Sequence, residues 1–147
     1  MIAVVQRVSE AIVTVAEADY RASIGNGLVV LLCVQQDDTT GDANWMANKI
    51  ARLRVFPDEQ QRFDQSVQDV GGSILLVSQF TLAGDCSKGN RPSFISAADP
   101  EHGRLLCDEV ERLLIQDHAL EVCTGIFQAS MQVSLVNEGP ATFIVER

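Results

Sequence analysis

The sequence has few aromatic residues, few positive charges and no long hydrophobic segment. Aromatic residues make up 5% of its 147 positions. The longest purely apolar run, residues 28–34, is far shorter than the roughly 20 residues that a transmembrane helix needs. The N-terminus alternates between apolar and polar residues and lacks the basic and apolar regions of a signal peptide. We therefore expect a cytoplasmic protein without a membrane partner.

Negative charge dominates the chain. Lys and Arg total 11 against 20 Asp and Glu, which gives a formal net charge of −9. Such a surface repels polyanions and taken alone argues against a nucleic-acid-binding domain, for which a basic patch or stripe is expected; we expect no DNA partner. Two basic clusters are exceptions, and the simplest interpretation of each is a solvated face. They are Lys49, Arg52 and Arg54, and Lys88 with Arg91.

The usual catalytic and cofactor signatures are absent. The four cysteines form no C-x-x-C pair, and no histidine stands at zinc-site spacing from them, so we expect neither a metal site nor a disulfide. No glycine-rich phosphate-binding motif is present, so we expect no nucleotide cofactor. His102 and His118 have no nucleophile at recognisable spacing and are interpreted as surface residues. The cysteines are Cys33, Cys86, Cys107 and Cys123, of which only Cys86 lies in a polar loop.

The length and the 46% of hydrophobic residues indicate one domain over residues 1–147. Strand-like patterns cover residues 3–8, 11–15, 20–24, 28–34, 73–80, 121–123, 131–137 and 141–145, with a turn or bulge at Ser9-Glu10. Helical patterns cover residues 40–54 and a segment that begins at Asp99-Pro100, with Leu105, Leu106, Val110, Leu113 and Leu114 on its buried face. This order predicts an α+β fold in layers (α/β/β), with mostly antiparallel strands and two main helices.

Two polar stretches stand out. Ser78-Gln79-Phe80-Thr81-Leu82 ends an apolar strand with hydroxyl and amide side chains, just before a long loop, where functional sites are often found. The alternative is a strand whose outward face is polar. Asn137-Glu138-Gly139-Pro140-Ala141-Thr142 lies between two strand patterns, where a plain β-turn is the alternative.

Together these stretches resemble the S-Q-x-T-L and N-x-G-P-[VA]-T motifs of the D-aminoacyl-tRNA deacylase family. The resemblance extends over the whole chain, through Gln6-Arg7-Val8, Asp69-Val70-Gly71-Gly72 and the segment from Lys88 to Phe94. Cys33 departs from the usual glycine after its strand, as do residues 128–131 from the common pattern, and these changes affect only the expected shape of the pocket.

The resemblance implies a homodimeric hydrolase that removes D-amino acids from tRNA, and glycine mischarged on alanine tRNA, as chiral proofreading in translation. It implies that Gly139-Pro140 is cis and enters the partner's active site, where it excludes L-residues by steric contact. Asn137 belongs to this motif, and Arg7 braces it or is a plain surface arginine.

The catalytic residues that the resemblance implies are Ser78, Gln79, Phe80 and Thr81. Ester hydrolysis needs donors for an oxyanion, and the backbone N–H groups of Phe80 and Thr81 and the Gln79 amide can supply them. Because no base is visible, we expect Thr81 to position the substrate or a water, with a nucleophilic role as the alternative. The five basic residues of the two clusters are expected near the pocket mouth, where they would contact tRNA.

Two other functions remain open at this point. One is hydrolysis of other small acyl esters on the same scaffold. The other is a dimeric, β-rich binding module without turnover. Incubation of the protein with D-Tyr-tRNA and with a simple D-amino acid ester distinguishes them.

Overall fold

A computed structural model describes all residues from Met1 to Arg147. Eight strands and two helices alternate along the chain, which confirms the predicted α+β fold with two main helices. Short 3-10 helices follow the first and sixth strands, at Ala16–Ala18 and Phe80–Ala83. The elements are β1 (Ile2–Val15), β2 (Tyr20–Ile24), β3 (Gly27–Cys33), α1 (Thr40–Arg52), β4 (Phe56–Pro57), β5 (Phe63–Gln65), β6 (Ser73–Ser78), α2 (Pro100–Gln116), β7 (Val122–Thr124) and β8 (Gln132–Glu146).

Six strands form one sheet in the order β2-β1-β3-β6-β7, with β8 also paired to β1. Strand β1 is antiparallel to β2, β3 and β8, whereas β3, β6 and β7 run parallel. The parallel pairs are joined through α1 and α2, because parallel neighbours need a crossover connection. Both helices pack in one core cluster with the sheet.

The core has two parts, one on each face of the sheet. The larger cluster of 23 buried residues joins the sheet to α1 and α2. The smaller cluster of seven lies on the other face, where Val8, Ala11 and Val13 of β1 cover Val29 and Leu75. The second half of β1, with β2 and the first half of β8, therefore forms the third layer of the predicted α/β/β arrangement.

Strand β1 is continuous, whereas two strands were predicted over residues 3–8 and 11–15. Its pairing with β8 shifts register between Gln6 and Val8 and between Val8 and Glu10. The bulge predicted at Ser9-Glu10 is thus present. Before the bulge Ala3 and Val5 belong to the larger core cluster, and around and after it Val8, Ala11 and Val13 belong to the smaller one, so one strand serves both clusters. The predicted strands 131–137 and 141–145 likewise merge into β8.

Both helices begin at the residues that the sequence predicts, Thr40 and Pro100. Thr39 and Asp42 form a capping box on α1, and the Asp99 carboxylate accepts hydrogen bonds from the first turn of α2. Helix α1 ends at Arg52, two residues before the predicted end. The prediction of Leu105 as buried is wrong, since it is 58% exposed. The buried positions of α2 are Gly103, Leu106, Val110, Leu113 and Leu114, and Leu105 lies about 100° away around the helix.

Two further findings differ from expectation. A short hairpin of β4 and β5 spans the start of the polar stretch at Pro57, and it carries too little apolar alternation to be predicted. His118 is buried rather than on the surface, with 9% exposure. Neither helix is long and apolar enough to cross a membrane.

Candidate active site

The motif at residues 78–81 lies at the carboxyl end of the parallel strand β6. Ser78 pairs with Leu32 of β3, and the Gln79 backbone N–H donates to the Leu32 carbonyl at 2.7 Å. The chain then tightens into the 3-10 helix, where Leu82 N–H donates to Gln79 and Gly84 N–H donates to Thr81. These bonds fix the backbone that carries the polar side chains.

The side chains of this motif contact one another. The Gln79 Nε2 donates to the Thr81 hydroxyl oxygen. The Phe80 ring is 59% exposed and meets Phe94 edge to face, with ring centres 5.2 Å apart. The Phe80 and Thr81 N–H groups begin the 3-10 helix and therefore have no acceptor inside it. The motif thus presents a hydroxyl, an amide and two backbone donors close together.

A cavity of about 560 Å³ opens beside the motif. Its wall comes from the ends of β3 and β6, the start of α2 and the segment before β8. Ten of its sixteen lining residues are hydrophobic, and a mostly apolar wall with a few polar groups is typical of a small-ligand site. The lining residues are Leu32, Val34, Val77, Ser78, Gln79, Phe80, Ala98, Asp99, Pro100, Gly103, Cys107, Phe127, Gln128, Ala129, Met131 and Val133.

No titratable group in the cavity is arranged as a general base. The Asp99 carboxylate accepts the N–H groups of Glu101 and His102 at 3.0 Å each, as the cap of α2. The His102 ring is hydrogen-bonded to the Asp38 carbonyl at 2.9 Å, and His118 is not part of the lining. No group of His, Cys, Asp and Glu residues is arranged to hold a metal ion.

Cys107 lines the cavity and Cys33 lies close to the motif, and burial favours the neutral form of both thiols. Burial raises the pKa of the Cys107 thiol to about 12, and the pKa of Cys33 is also raised by burial. Cys33 lies under the motif, with its Sγ 3.6 Å from the Phe80 carbonyl. Because the thiolate is the reactive form, neither group is a nucleophile near pH 7. Cys86 is exposed, as its polar loop predicts.

The second motif forms a protruding elbow, residues 138–141, in the middle of β8. Asn137 pairs with Val8 and Thr142 with Gln6, so five steps along β8 match two along β1. The three extra residues leave the sheet and expose Gly139 and Pro140, whose peptide bond is cis. A Cβ added to Gly139 would lie 2.6 Å from Asn137 Oδ1, so a side chain there would have to displace the Asn137 amide.

The elbow is held by Arg7 and Asn137. Arg7 is 8% exposed, and its guanidinium donates to the Glu138 carbonyl at 3.0 Å and the Val55 carbonyl at 2.6 Å. The Asn137 amide donates to the carbonyls of Arg7 and Ala141 at 3.1 and 3.3 Å. Arg7 is therefore not a plain surface arginine, because it braces the elbow from β1.

The two motifs do not meet within one chain. The path from β6 through β3 and β1 to β8 crosses three strand spacings, which is about 14 Å. Along the strands, Ser78 is level with Ala3, whereas the elbow leaves the sheet between Gln6 and Val8, about 10 Å or more further on. The elbow therefore lies out of reach of its own chain's cavity.

The basic residues fall into two separate regions. Lys49 and Arg52 are in the last turn of α1, far from the cavity, because α1 begins near the start of α2, which lines the cavity. Arg54 follows and pairs with Asp64. Of the five predicted basic residues, only Lys88 and Arg91 lie at the cavity end of their own chain, in the exposed loop that carries Phe94.

One cation at the cavity was not predicted. The Arg104 guanidinium lies over the Phe127 ring, 5.5 Å from its centre, and Phe127 lines the cavity. No sequence pattern brings these two residues together, because α2 and the segment before β8 meet only in the folded chain.

Known proteins resemble this chain over its whole length. The sequence profile of the family described as D-Tyr-tRNA(Tyr) deacylase matches residues 4–146. A D-aminoacyl-tRNA deacylase of Pelobacter propionicus is 52% identical over 147 residues, covering 100% of both chains. One from Desulfitobacterium hafniense is 53% identical and covers 99% of this chain and 97% of its own.

Solved structures share the fold. One described as c-Myc DNA Unwinding Element Binding Protein has a TM-score of 0.93 at 39% identity and covers 100% of this chain and 99% of its own. One described as a probable eukaryotic D-amino acid tRNA deacylase has a TM-score of 0.84 at 16% identity, with coverage of 98% and 97%. By sequence and by fold, this chain belongs to the D-Tyr-tRNA(Tyr) deacylase family.

Proposed function

We propose that this protein is a D-aminoacyl-tRNA deacylase, which hydrolyses the ester between a D-amino acid and the terminal adenosine of tRNA. Water is consumed, and free tRNA and the amino acid are released. The observation that carries the proposal is that Ser78, Gln79 and Phe80 of the motif line a cavity, in a chain about half identical to proteins of that name. We propose the cytoplasm as its location, because charged tRNA is used there in translation.

The cavity suits the end of a charged tRNA. Its volume of about 560 Å³ lies within the range of small-ligand pockets. Phe127 and Met131 offer apolar contact to a base, and Ser78, Gln79 and Gln128 offer hydrogen bonds to ribose and acyl groups. The amino acid's ester then lies beside the motif.

The chemistry proceeds by attack of water on the ester carbonyl. The N–H groups of Phe80 and Thr81 are the proposed donors to the oxyanion, together with the Gln79 amide. Thr81 positions the substrate or the water, because no base near its hydroxyl would take the proton from a nucleophile. The ribose 2′-hydroxyl of the substrate is available to assist proton transfer.

The role of Thr81 is tested by Thr81→Ala with D-Tyr-tRNA as substrate. A positioning role predicts that a measurable part of the wild-type rate remains. A nucleophilic role predicts loss to the uncatalysed rate and an acyl-enzyme that rapid quenching can trap in the wild type. Gln79→Ala serves as a matched variant, since it removes the partner of the hydroxyl without removing the hydroxyl.

Chiral selection needs a second copy of the chain. The elbow is exposed and braced yet cannot reach its own cavity, so we propose that it enters the partner's cavity in a homodimer. The outer face of β1 and β8 supplies an apolar surface for this contact, where Val4 pairs with Ile144, which is 70% exposed. Gly139-Pro140 and Asn137 then leave room for a hydrogen, but not for a side chain in the L position.

The proposed function is tested with tRNAs charged with D-Tyr, L-Tyr and glycine on alanine tRNA. We expect the D-Tyr and glycine esters to be hydrolysed and the L-Tyr ester to survive. Equal hydrolysis of both enantiomers would contradict the proposed filter, and survival of D-Tyr-tRNA would leave a binding module.

Two further substrates separate the alternatives. Hydrolysis of a simple D-Tyr ethyl ester at a comparable kcat/KM would favour a general esterase. Because a similar structure is described as a DNA-binding protein, the binding of duplex DNA is measured in parallel. We expect none at physiological salt, given the net charge of −9.

A further inference from the structure

Arg104 is a cation at the cavity that the proposed chemistry does not use. It lies on α2 between Gly103 and Leu105, and Gly103 and Cys107 on the same helix line the cavity. The Phe127 ring packs against Gly103, where an added Cβ would lie 3.5 Å from Cζ of the ring. The Arg104 guanidinium covers this ring at 5.5 Å. Its charge is thus held at the rim of the cavity.

Arg104 is exposed and has no acidic partner. Glu101 and Asp108 stand one turn before and after it on α2, yet neither forms an ion pair with it. By contrast, Arg54, Arg62, Arg112 and Arg147 are all paired with carboxylates. The nearest acid in the cavity wall, Asp99, is occupied by two backbone N–H groups. The guanidinium donors therefore remain available to a ligand.

An anionic group on the ligand would complement this guanidinium. If the cavity holds the terminal adenosine, the phosphate that joins it to the preceding nucleotide leaves through the mouth. A guanidinium binds phosphate through two parallel hydrogen bonds, and an aromatic ring beneath it fixes its orientation. Both features are present at Arg104.

We propose that Arg104 is a positioning residue that binds the phosphate on the 5′ side of the terminal adenosine of the RNA substrate. This inference rests on the proposed function. It adds the one contact in the cavity that distinguishes a nucleotide from a nucleoside. In so acidic a protein, a single well-held cation at the mouth gives local attraction that the net charge does not.

The test compares three esters that carry D-Tyr on the ribose 3′-oxygen. They are the esters of adenosine, of adenosine 5′-monophosphate and of the terminal adenosine of tRNA. For Arg104→Ala we expect KM to rise about tenfold with the two phosphate-bearing esters, with kcat unchanged, since a charge-assisted hydrogen bond is lost. KM for the adenosine ester stays at the wild-type value. With tRNA, the negative slope of log kcat/KM against log salt concentration becomes less steep by about 0.7, as expected for the loss of one phosphate contact to a single strand.

Two control variants accompany it. Arg104→Lys keeps the charge but not the paired donors, so we expect it to keep the salt slope and recover part of the affinity. Arg21→Ala removes an unpaired, exposed arginine of β2 and should change none of these values. Urea unfolding of all three variants should match the wild type, because both arginines are exposed.

An equal rise in KM for all three esters would overturn the proposal, since it would give Arg104 a structural role. No change with any ester would overturn it too. The proposed function fails separately if the wild type hydrolyses none of the esters. In that case the role of Arg104 is still decided by calorimetry with two amide-linked D-Tyr analogues, those of 3′-aminoadenosine and of its 5′-phosphate. The proposal predicts that the wild type binds the phosphate form more tightly than the form without phosphate, and that Arg104→Ala does not.

Discussion

Arg7 shows how one residue connects the sheet to the elbow. It occupies a buried position on β1, where the neighbouring inward residues are apolar, yet it carries a charge. The carbonyls of Val55 and Glu138 accept its hydrogen bonds, the Glu138 carboxylate lies 3.8 Å away, and the Phe63 ring lies at 5.5 Å. Burying a charge is costly unless such partners are present. Here these partners offset that cost, and the same guanidinium fixes the elbow in place.

The substitution Arg7→Lys tests this connection. A lysine keeps the charge but cannot reach both carbonyls with a planar fork, so one buried carbonyl loses its donor. We expect the free energy of unfolding, measured with urea, to fall by about 2 kcal/mol. The loosened elbow should also increase the hydrolysis of L-Tyr-tRNA relative to D-Tyr-tRNA.

Arg21→Lys is the matched control, because Arg21 lies on the exposed face of β2 and has no ion pair. It should leave both stability and chiral preference at wild-type values. Unchanged enantiomer preference in Arg7→Lys, together with lower stability, would limit Arg7 to a structural role.

Cys107 gives a prediction about pH. Burial raises the pKa of its thiol to about 12, from 9.0 for an unperturbed thiol. The folded chain thus favours the neutral form, and this contribution to stability is complete below pH 9. Above pH 9 the unfolded chain ionises first, so the contribution is lost as pH rises towards 12.

We therefore expect the free energy of unfolding to fall less between pH 8.5 and 10.5 in Cys107→Ala than in the wild type. Cys33 adds a shift of the same sign, so part of the fall should remain. Iodoacetamide at pH 8 should modify Cys86 first, because it is exposed. Mass spectrometry that found Cys107 modified as fast as Cys86 would contradict the buried, neutral thiol.

At the scale of elements, the start of α2 forms part of the cavity wall. Asp99 caps the helix, Pro100 is its first residue, and both line the cavity with Gly103. Loss of this cap leaves two N–H groups without their acceptor. We expect Asp99→Ala to lower the free energy of unfolding by about 1 kcal/mol.

Asp99→Asn keeps an oxygen acceptor, so it should stay within a few tenths of a kcal/mol of the wild type in the same urea titration, as good N-cap residues do. Equal losses in both variants would show that the charge matters rather than the cap. A wild-type value for Asp99→Ala would show that α2 does not depend on this residue.

The elements also show what the sequence can and cannot predict. Apolar periodicity predicted both helices and the buried strands, and residue type predicted the cap of α2. These features depend on residues that are neighbours in the sequence. The continuity of β1 and β8 depends on pairing between distant segments, and so does the hairpin of β4 and β5. The S-Q-x-T-L motif was visible in the sequence, but the cavity beside it was not. Arg104 and Phe127 meet only after α2 and residues 127–133 pack together.

At the scale of the whole molecule, the two basic regions lie at opposite ends of one chain. Lys49, Arg52 and Arg54 follow α1 to the end where Arg7 bonds to Val55, which is the elbow end. In a dimer whose elbow enters the partner's cavity, these residues approach the mouth where the partner's Lys88 and Arg91 lie. The proposed dimer would therefore concentrate positive charge around each mouth, despite a net charge of −9 per chain.

Exchange of the elbow between chains has a direct test in mixed dimers. One parent carries Gly139→Ala, whose added methyl would lie 2.6 Å from Asn137 Oδ1 and would displace the amide that holds the elbow. The other carries Gln79→Ala and Thr81→Ala at the cavity. We expect each parent alone to lose most D-Tyr-tRNA hydrolysis, the first because its displaced elbow obstructs the partner's cavity and the second because its motif lacks the amide and the hydroxyl. Co-folded at equal amounts, half of the dimers are mixed, and each has one site with an intact cavity and an intact elbow, so about a quarter of the wild-type activity should return.

The control for the elbow parent is Gly25→Ala, because a Cβ at Gly25 meets nothing within 4 Å and the residue lacks a positive φ. It should be fully active and should give no special complementation. If each elbow served its own chain's cavity, no mixture of the two parents would contain an intact site, and the activity would stay at the parental level. Full activity and full rejection of L-Tyr-tRNA by the Gly139→Ala homodimer would contradict a role of the elbow in the mechanism. The contact of the added methyl with Asn137 Oδ1 would then change neither rate nor selectivity.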